Sequence, residues 1–389
     1  MRVRSRRLAL IGLALIFALG AAALWQREAL TRLHAVLTLF EPDRIVSNFG
    51  RMGEIFESRP IPVSGPPAPF PEGAPLTPPP GWEAWLERRA VTGIVVLRDG
   101  AVALEAYRMG TGREDARISW SLAKSYLSAL IGILLERGEI ESLDDPVTRY
   151  APALSGGAYD GATVRNVLRM SSGVVFNEDY LDFWSDINRM GRVLALGGSM
   201  DAFAAALKER DAEPGAAWRY VSIDTHVLGM VARGATGRSV ADLMAEHLLG
   251  PMGAHGAPHY VTDGYGVAFV LGGLNLTLRD YAALGELFRN HGRIGERRIL
   301  PEAWVVESAT PSANTAPGEA QYGYQWWMPA DAGPREYMAR GVYGQYIYVN
   351  EPAGLVIAVT GADLAFREPG AFEDSLAMFR ALAAEGGGS

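Results

Sequence analysis

The sequence predicts an α+β fold in which one antiparallel sheet is assembled from both ends of the chain, is flanked by helices, and carries an inserted helical subdomain. Three observations lead to this expectation. Gly93 to Leu97 and Ala101 to Tyr107 are apolar runs separated by Asp99-Gly100, and an Asp-Gly between two such runs is a strong hairpin sign. From Ser119 to about Gly250 the apolar spacing turns helical. Strand-like runs then return late, at Tyr322 to Met328, Glu336 to Ala339, Gln345 to Asn350 and Leu355 to Thr360, before a final amphipathic helix near Phe372 to Ala384. Strands at both ends with helices between them imply one shared sheet, and the cleft beside the helices is the natural place for a site.

In chain order, Arg2, Arg4, Arg6 and Arg7 precede an uncharged run of 18 residues from Leu8 to Trp25. That length is the lower limit for a spanning helix, and it also fits a long signal-peptide core. Basic residues in front imply an N-terminus held in the cytoplasm and an exported remainder, with Trp25, Arg27 and Arg32 as interfacial anchors. The expected organisation is an anchor or signal segment over 1–30, a Pro/Gly-rich arm over 31–80 beginning with an amphipathic stretch near Leu30 to Phe40, and a folded unit over 81–385 whose helical subdomain spans about 119–250. The expected location is outside the inner membrane, in the periplasm or beyond, tethered by the N-terminal helix. A net charge of −8, 49% hydrophobic and 21% charged residues describe a globular chain and speak against nucleic acid as partner. The absence of cysteine excludes thiol catalysis. No Gly-x-Gly-x-x-Gly or Gly-x-Ser-x-Gly occurs, and the six histidines form no metal set, so neither cofactor nor metal is expected.

The chemistry concentrates in Ser119-Trp-Ser-Leu-Ala-Lys124, the start of a helix apolar on nearly every face to Leu135, with Ser119 as expected N-cap and Gly138 as stop. Spacing i, i+3 sets the Ser121 hydroxyl and Lys124 amine a turn apart on one face. Serine needs a base to become a nucleophile, and lysine is a base only when burial disfavours its charge. Lys124 and Lys208 are the two lysines of the chain, and arginine fills the other basic positions. Guanidinium cannot give up its proton, so a lysine kept inside an apolar helix points to a removable proton there.

A second group lies at Trp218-Arg-Tyr220-Val-Ser222-Ile-Asp224, just ahead of a helix. With Ser-x-x-Lys and this Tyr-x-Ser, the chain from about Gly93 to Asp363 resembles the serine β-lactamase and penicillin-recognising superfamily, class C-like branch. Within it the chain is most similar to the 6-aminohexanoate-dimer (nylon-oligomer) hydrolases. The resemblance implies a β-lactamase-like fold and a serine hydrolase that opens amides or esters of small molecules through an acyl-enzyme. It makes Ser121 the nucleophile, Lys124 its base and Tyr220 the proton relay, with Ser222 in the place of an asparagine. The third motif of the family falls at Ala339-Arg340-Gly341 and lacks its basic first residue, which implies weak penicillin hydrolysis, and Arg340 is expected on the opposite face from Ala339. The oxyanion hole would be the backbone N–H groups of Ser121 and Val342. Substrate contacts implied are Tyr180, Ser222, Trp327, Gly341 and Tyr343. A non-catalytic penicillin-binding-like sensor, a weak β-lactamase and a D-amino-acid peptidase stay open as alternatives.

Overall fold

The computed structural model describes residues 12, 13, 20, 27–64 and 70–385. The apolar N-terminal segment and the tail from Gly386 fall outside the described residues almost entirely, and no described helix is long and apolar enough to cross a membrane.

Within the stretch 31–80, expected as an arm, the first part is helical. Helices α1 (Arg27–Leu37), α2 (Ile45–Phe49) and α3 (Met52–Ile55) lead to β1 (Ser58–Pro60), and Leu39, Ile45, Phe49 and Met52 are buried beneath them. Beyond them, the described residues 61–64 and 70–81 carry no helix before α4 (Trp82–Arg88). The expected hairpin follows as β2 (Val91–Arg98) and β3 (Ala101–Tyr107). Asp99 and Gly100 have φ of 48° and 79°, the two positive values that a tight hairpin turn of the I′ kind needs.

Two residues of β4 (Arg117–Ile118) then feed α5 (Leu122–Glu136), in which every residue from Leu122 to Leu134 is buried. Its buried hydroxyls find partners: Ser125 and Ser128 donate to the carbonyls of Gln325 and Tyr324 at 2.7 and 2.8 Å, and Tyr126 to that of Asp280 at 2.8 Å. Ser119 does not cap this helix. It continues β4, its N–H donating to Leu274 O at 2.7 Å and its hydroxyl to Trp120 O at 2.9 Å, so the helix begins at Leu122.

The helical side holds α6 (Val147–Tyr150), α7 (Val164–Leu168), α8 (Asp186–Ala195), α9 (Met200–Ala205), α10 (Ser222–Thr236) and α11 (Val240–Met244). Helix α8 lies where the sequence suggested only a loop, and Ser185 caps it by accepting from Asn188 N. Next come β5 (His259–Val261), β6 (Leu274–Leu276), α12 (Leu278–Arg289), the small hairpin of β7 (Arg293–Ile294) and β8 (Arg297–Arg298), and α13 (Glu302–Ser308). The expected strand over 322–328 is two short strands, β9 (Gln321–Tyr322) and β10 (Trp327–Met328), folded back so that Trp327 pairs Tyr322. The turn between them is held out of the sheet because its carbonyls serve Ser125 and Ser128 of α5. Strands β11 (Glu336–Gly341), β12 (Gln345–Asn350) and β13 (Leu355–Gly361) and helix α14 (Ala371–Ala384) complete the chain.

Seven strands make one antiparallel sheet in the order β3-β2-β13-β12-β11-β10-β9, closed by β2 on β13 with Ile94 opposite Val359. Both faces are covered. Val95 and Leu97 join the core that contains α5, while Ile94 and Val96 pack with Trp85 of α4 and Phe379 of α14. A second sheet, β1-β5-β6-β4, ties the N-terminal segment to the strand that leads into Ser121.

Candidate active site

Helix α5 brings Ser121 and Lys124 together, with Lys124 Nζ 3.0 Å from Ser121 Oγ and 2.6 Å from Leu271 O. Ser121 stands at the N-cap without spending its hydroxyl on the helix, so the hydroxyl stays available to the amine. Burial drives the Lys124 amine from its ordinary value down to about 7, against a smaller upward pull from the Glu178 charge. A neutral amine fits the contacts: one N–H donates to Leu271 O and the lone pair faces the serine hydroxyl. Burial, with the charge of Glu178, pushes the Tyr220 phenol the other way, well up, although the Ser121 hydroxyl, Arg340 and the Ser222 hydroxyl draw it down. Tyr220 is therefore a neutral O–H donor near neutral pH, which leaves Lys124 as the group able to accept a proton. The Lys124 Nζ lies 5.4 Å from the centre of the Tyr220 ring.

Glu178 was passed over in the sequence. Its carboxylate accepts from the Tyr180 hydroxyl at 2.7 Å, from Ser222 N at 2.8 Å and from the Ser222 hydroxyl, which fixes the loop before α8 against the start of α10. Tyr180 and Ser222 thus donate their hydroxyls to Glu178, and both residues line the cavity beside Ser121.

Two main-chain N–H groups beside this space are without an acceptor: among the described residues, neither Ser121 N nor Val342 N donates to any acceptor, and both residues line the cavity beside the serine. Bulky residues in left-handed backbone hold them there: Trp120 at φ 44° precedes Ser121, and Tyr343 at φ 61° follows Val342. A Cβ on Gly341 would stand 3.0 Å from Ser119 O and 3.0 Å from Gln345 Cβ, tighter than an ordinary contact, so glycine eases the approach of β11 to the serine segment.

The remaining expected contacts separate. Tyr343 lines the cavity but stacks on Phe40 with ring centres 4.8 Å apart. Trp327 packs behind Tyr220 at 5.3 Å and does not line the cavity, while its neighbour Trp326 is buried against Phe288. Ala339 is buried in the α5 core, so a lysine side chain there would start from within packed carbon. Arg340 does lie on the opposite face, yet that face reaches the cleft. Its guanidinium lies 3.6 Å from the centre of the Phe372 ring and 5.2 Å from that of Trp327, and its charge is felt by Tyr220. It makes no hydrogen bond or ion pair among the described residues.

The cavity measures about 330 Å3 and is lined by Ser121 but not by Lys124, Tyr220 or Trp327. Its far walls are Val36, Leu37 and Phe40 from the N-terminal segment and Leu181, Phe183 and Ile187 from the stretch entering α8.

A family model described as Beta-lactamase matches residues 86–384. A 6-aminohexanoate-dimer hydrolase of Paenarthrobacter ureafaciens is 27% identical over 292 residues, 72% of this chain and 74% of that protein. Among solved structures, a Bacillus anthracis protein provisionally assigned as a 6-aminohexanoate-dimer hydrolase superposes with a TM-score of 0.78 at 22% identity, covering 89% of this chain and 95% of its own. A family VIII carboxylesterase superposes at 0.58 with 15% identity, over 80% of this chain and 99% of its own.

Proposed function

Because the chain belongs to the beta-lactamase family, and is a serine hydrolase of amide or ester bonds in small molecules, we propose that Ser121, Lys124 and Tyr220 carry out that hydrolysis through an acyl-enzyme. The observation that supports this most is the 3.0 Å approach of Ser121 Oγ to a buried lysine whose amine is held near pH 7. The neutral amine of Lys124 takes the hydroxyl proton as Oγ attacks the carbonyl carbon. The resulting oxyanion accepts from Ser121 N–H and Val342 N–H. The Tyr220 hydroxyl gives its proton to the departing nitrogen or oxygen as that bond breaks, and the Lys124 ammonium restores the tyrosine proton. Water then enters on the leaving-group side and repeats the sequence to free the acid. Treatment with a fluorophosphonate and intact-protein mass spectrometry test this assignment. One adduct is expected on the wild type and none on Ser121→Ala; an adduct that persists in the variant refutes it.

We also propose that the protein is exported and held at the inner membrane by its first 25 residues, on the strength of the four arginines ahead of the apolar run. The full chain is then expected in the membrane fraction after carbonate washing, and a chain starting at Arg27 in the soluble one. Recovery of the full chain from the cytosol overturns this.

A further inference from the structure

We propose that the cavity beside Ser121 is an acyl chamber for uncharged, straight-chain aliphatic acids of about six to ten carbons, so that medium-chain esters are the substrate class of this enzyme. The inference rests on the assignment of Ser121 as nucleophile and adds what it acylates with. At about 330 Å3 the chamber has room for an alkyl chain of medium length beside Ser121.

Position decides which half of the substrate enters. Tyr220 protonates the leaving group, so that group belongs beside Tyr220, Trp327 and Arg340, and none of these lines the chamber. The acyl half is left with the space on the other side of Ser121, under Phe40 and Tyr343. Composition decides what the acyl half is. Among the described residues, no aspartate or glutamate lines the chamber, and the one cation that does, Arg192, is already engaged, lying 4.2 Å from the centre of the Phe183 ring and donating to Phe183 O at 2.7 Å. An ω-ammonium at the end of a six-carbon acyl chain would therefore be desolvated without a counter-charge, whereas a terminal methyl would not. This distinguishes the chamber from one suited to an aminohexanoyl group. The opening is apolar as well: Leu37, Leu181 and Phe183 line the chamber and are also exposed, by 60, 84 and 49%, so a chain longer than the chamber leaves along carbon. On α8, Gly191 lines the same space, and a Cβ built on it meets nothing within 4 Å.

The test uses the full chain and p-nitrophenyl esters from acetate to decanoate, kept below aggregation, with each kcat/KM divided by the hydroxide rate. A rise of about two- to fourfold per added methylene is expected as far as octanoate. The hexanoyl ester should exceed the 6-aminohexanoyl ester at least tenfold. Gly191→Leu, which fills the open space, should lower the octanoate-to-acetate ratio about tenfold. A flat chain-length series, or a 6-aminohexanoyl ester as good as the hexanoyl one, overturns the chamber while leaving the serine chemistry intact. Calorimetric titration of Ser121→Ala with decanoate separates the two in the other direction. Binding that Gly191→Leu weakens supports the chamber even if no ester turns over, and no binding by a folded Ser121→Ala refutes it.

Discussion

Around Ser121, the side chains of Lys124, Glu178, Tyr180 and Ser222 form a polar floor in which each holds a hydrogen-bond partner, whereas the roof formed by residues 27–56 lines the cavity beside it with the carbon of Val36, Leu39, Phe40 and Met52. The floor falls inside the matched span 86–384 and the roof lies ahead of it. The difference teaches that the reacting atoms come from the matched span alone, whereas the carbon that lines the chamber comes from both sides of its start, from Val36, Leu37 and Phe40 and from Leu181, Phe183 and Ile187. A serine hydrolase site depends on particular atoms at fixed separations, and a chain-binding surface depends only on shape and apolar area.

That contrast breaks if a floor substitution discriminates between acyl chains, or if a roof substitution stops the chemistry. The largest expected effect is Lys124→Arg, which keeps a charge but removes the base: kcat should fall about 10³-fold or more for every ester alike. In the wild type the same amine sets the pH profile, with kcat/KM rising tenfold per unit at acid pH and levelling above about pH 7. A profile flat from pH 5 to 9 would remove Lys124 from that role. Next comes Tyr220→Phe, expected to cost about 10²-fold with anilides, whose amine must leave protonated, and under tenfold with p-nitrophenyl esters, whose phenolate leaves unaided. Equal losses on both substrates would argue that Tyr220 only packs. Third, Phe40→Ala opens the roof where it stacks on Tyr343 and should lower the octanoate-to-acetate ratio of kcat/KM about five- to tenfold. The smallest is Glu178→Gln. Its negative charge now pulls the Lys124 pKa upward, so its loss should move the pH profile to lower pH, with at most about a twofold gain at pH 7 because about half the amine is already free there. A shift to higher pH would reverse the sign and the argument.

How much of this was legible follows the same division. Ser121 and Lys124 lie within one turn of a helix, so their meeting is a matter of spacing. The two-ended sheet was legible because Asp99-Gly100 and the late apolar runs are local signals. Glu178 was not, because its importance comes from Ser222, 44 residues away. Nor was the chamber, which collects ordinary leucines and phenylalanines from separate segments that no local period connects. Helix α12 could have been found: Thr277-Leu-Arg-Asp280 forms a capping box whose two halves both bond in the structure. The break between β9 and β10 is a tertiary effect, since Gln325 takes φ 63° and offers its carbonyl to Ser125 while its side chain bonds Leu168 O at 2.8 Å. Trp120 and Tyr343 likewise adopt a backbone that their bulk disfavours because the packing around them leaves no other.

The pairing of Ile94 with Val359 sets the order in which the protein can be made. Strand β2 leaves the ribosome early and its partner among the last, and at about 5 to 20 residues per second the interval is on the order of tens of seconds. Throughout that time a strand of Val, Ile and Leu has one edge filled by β3 and the other bare. The sheet cannot close, and β11 cannot be seated against the serine segment in its final frame, until the chain is nearly complete. Until β13 arrives, the edge of β2 that it will fill stays unpaired, so the site is completed only when the late strands are made.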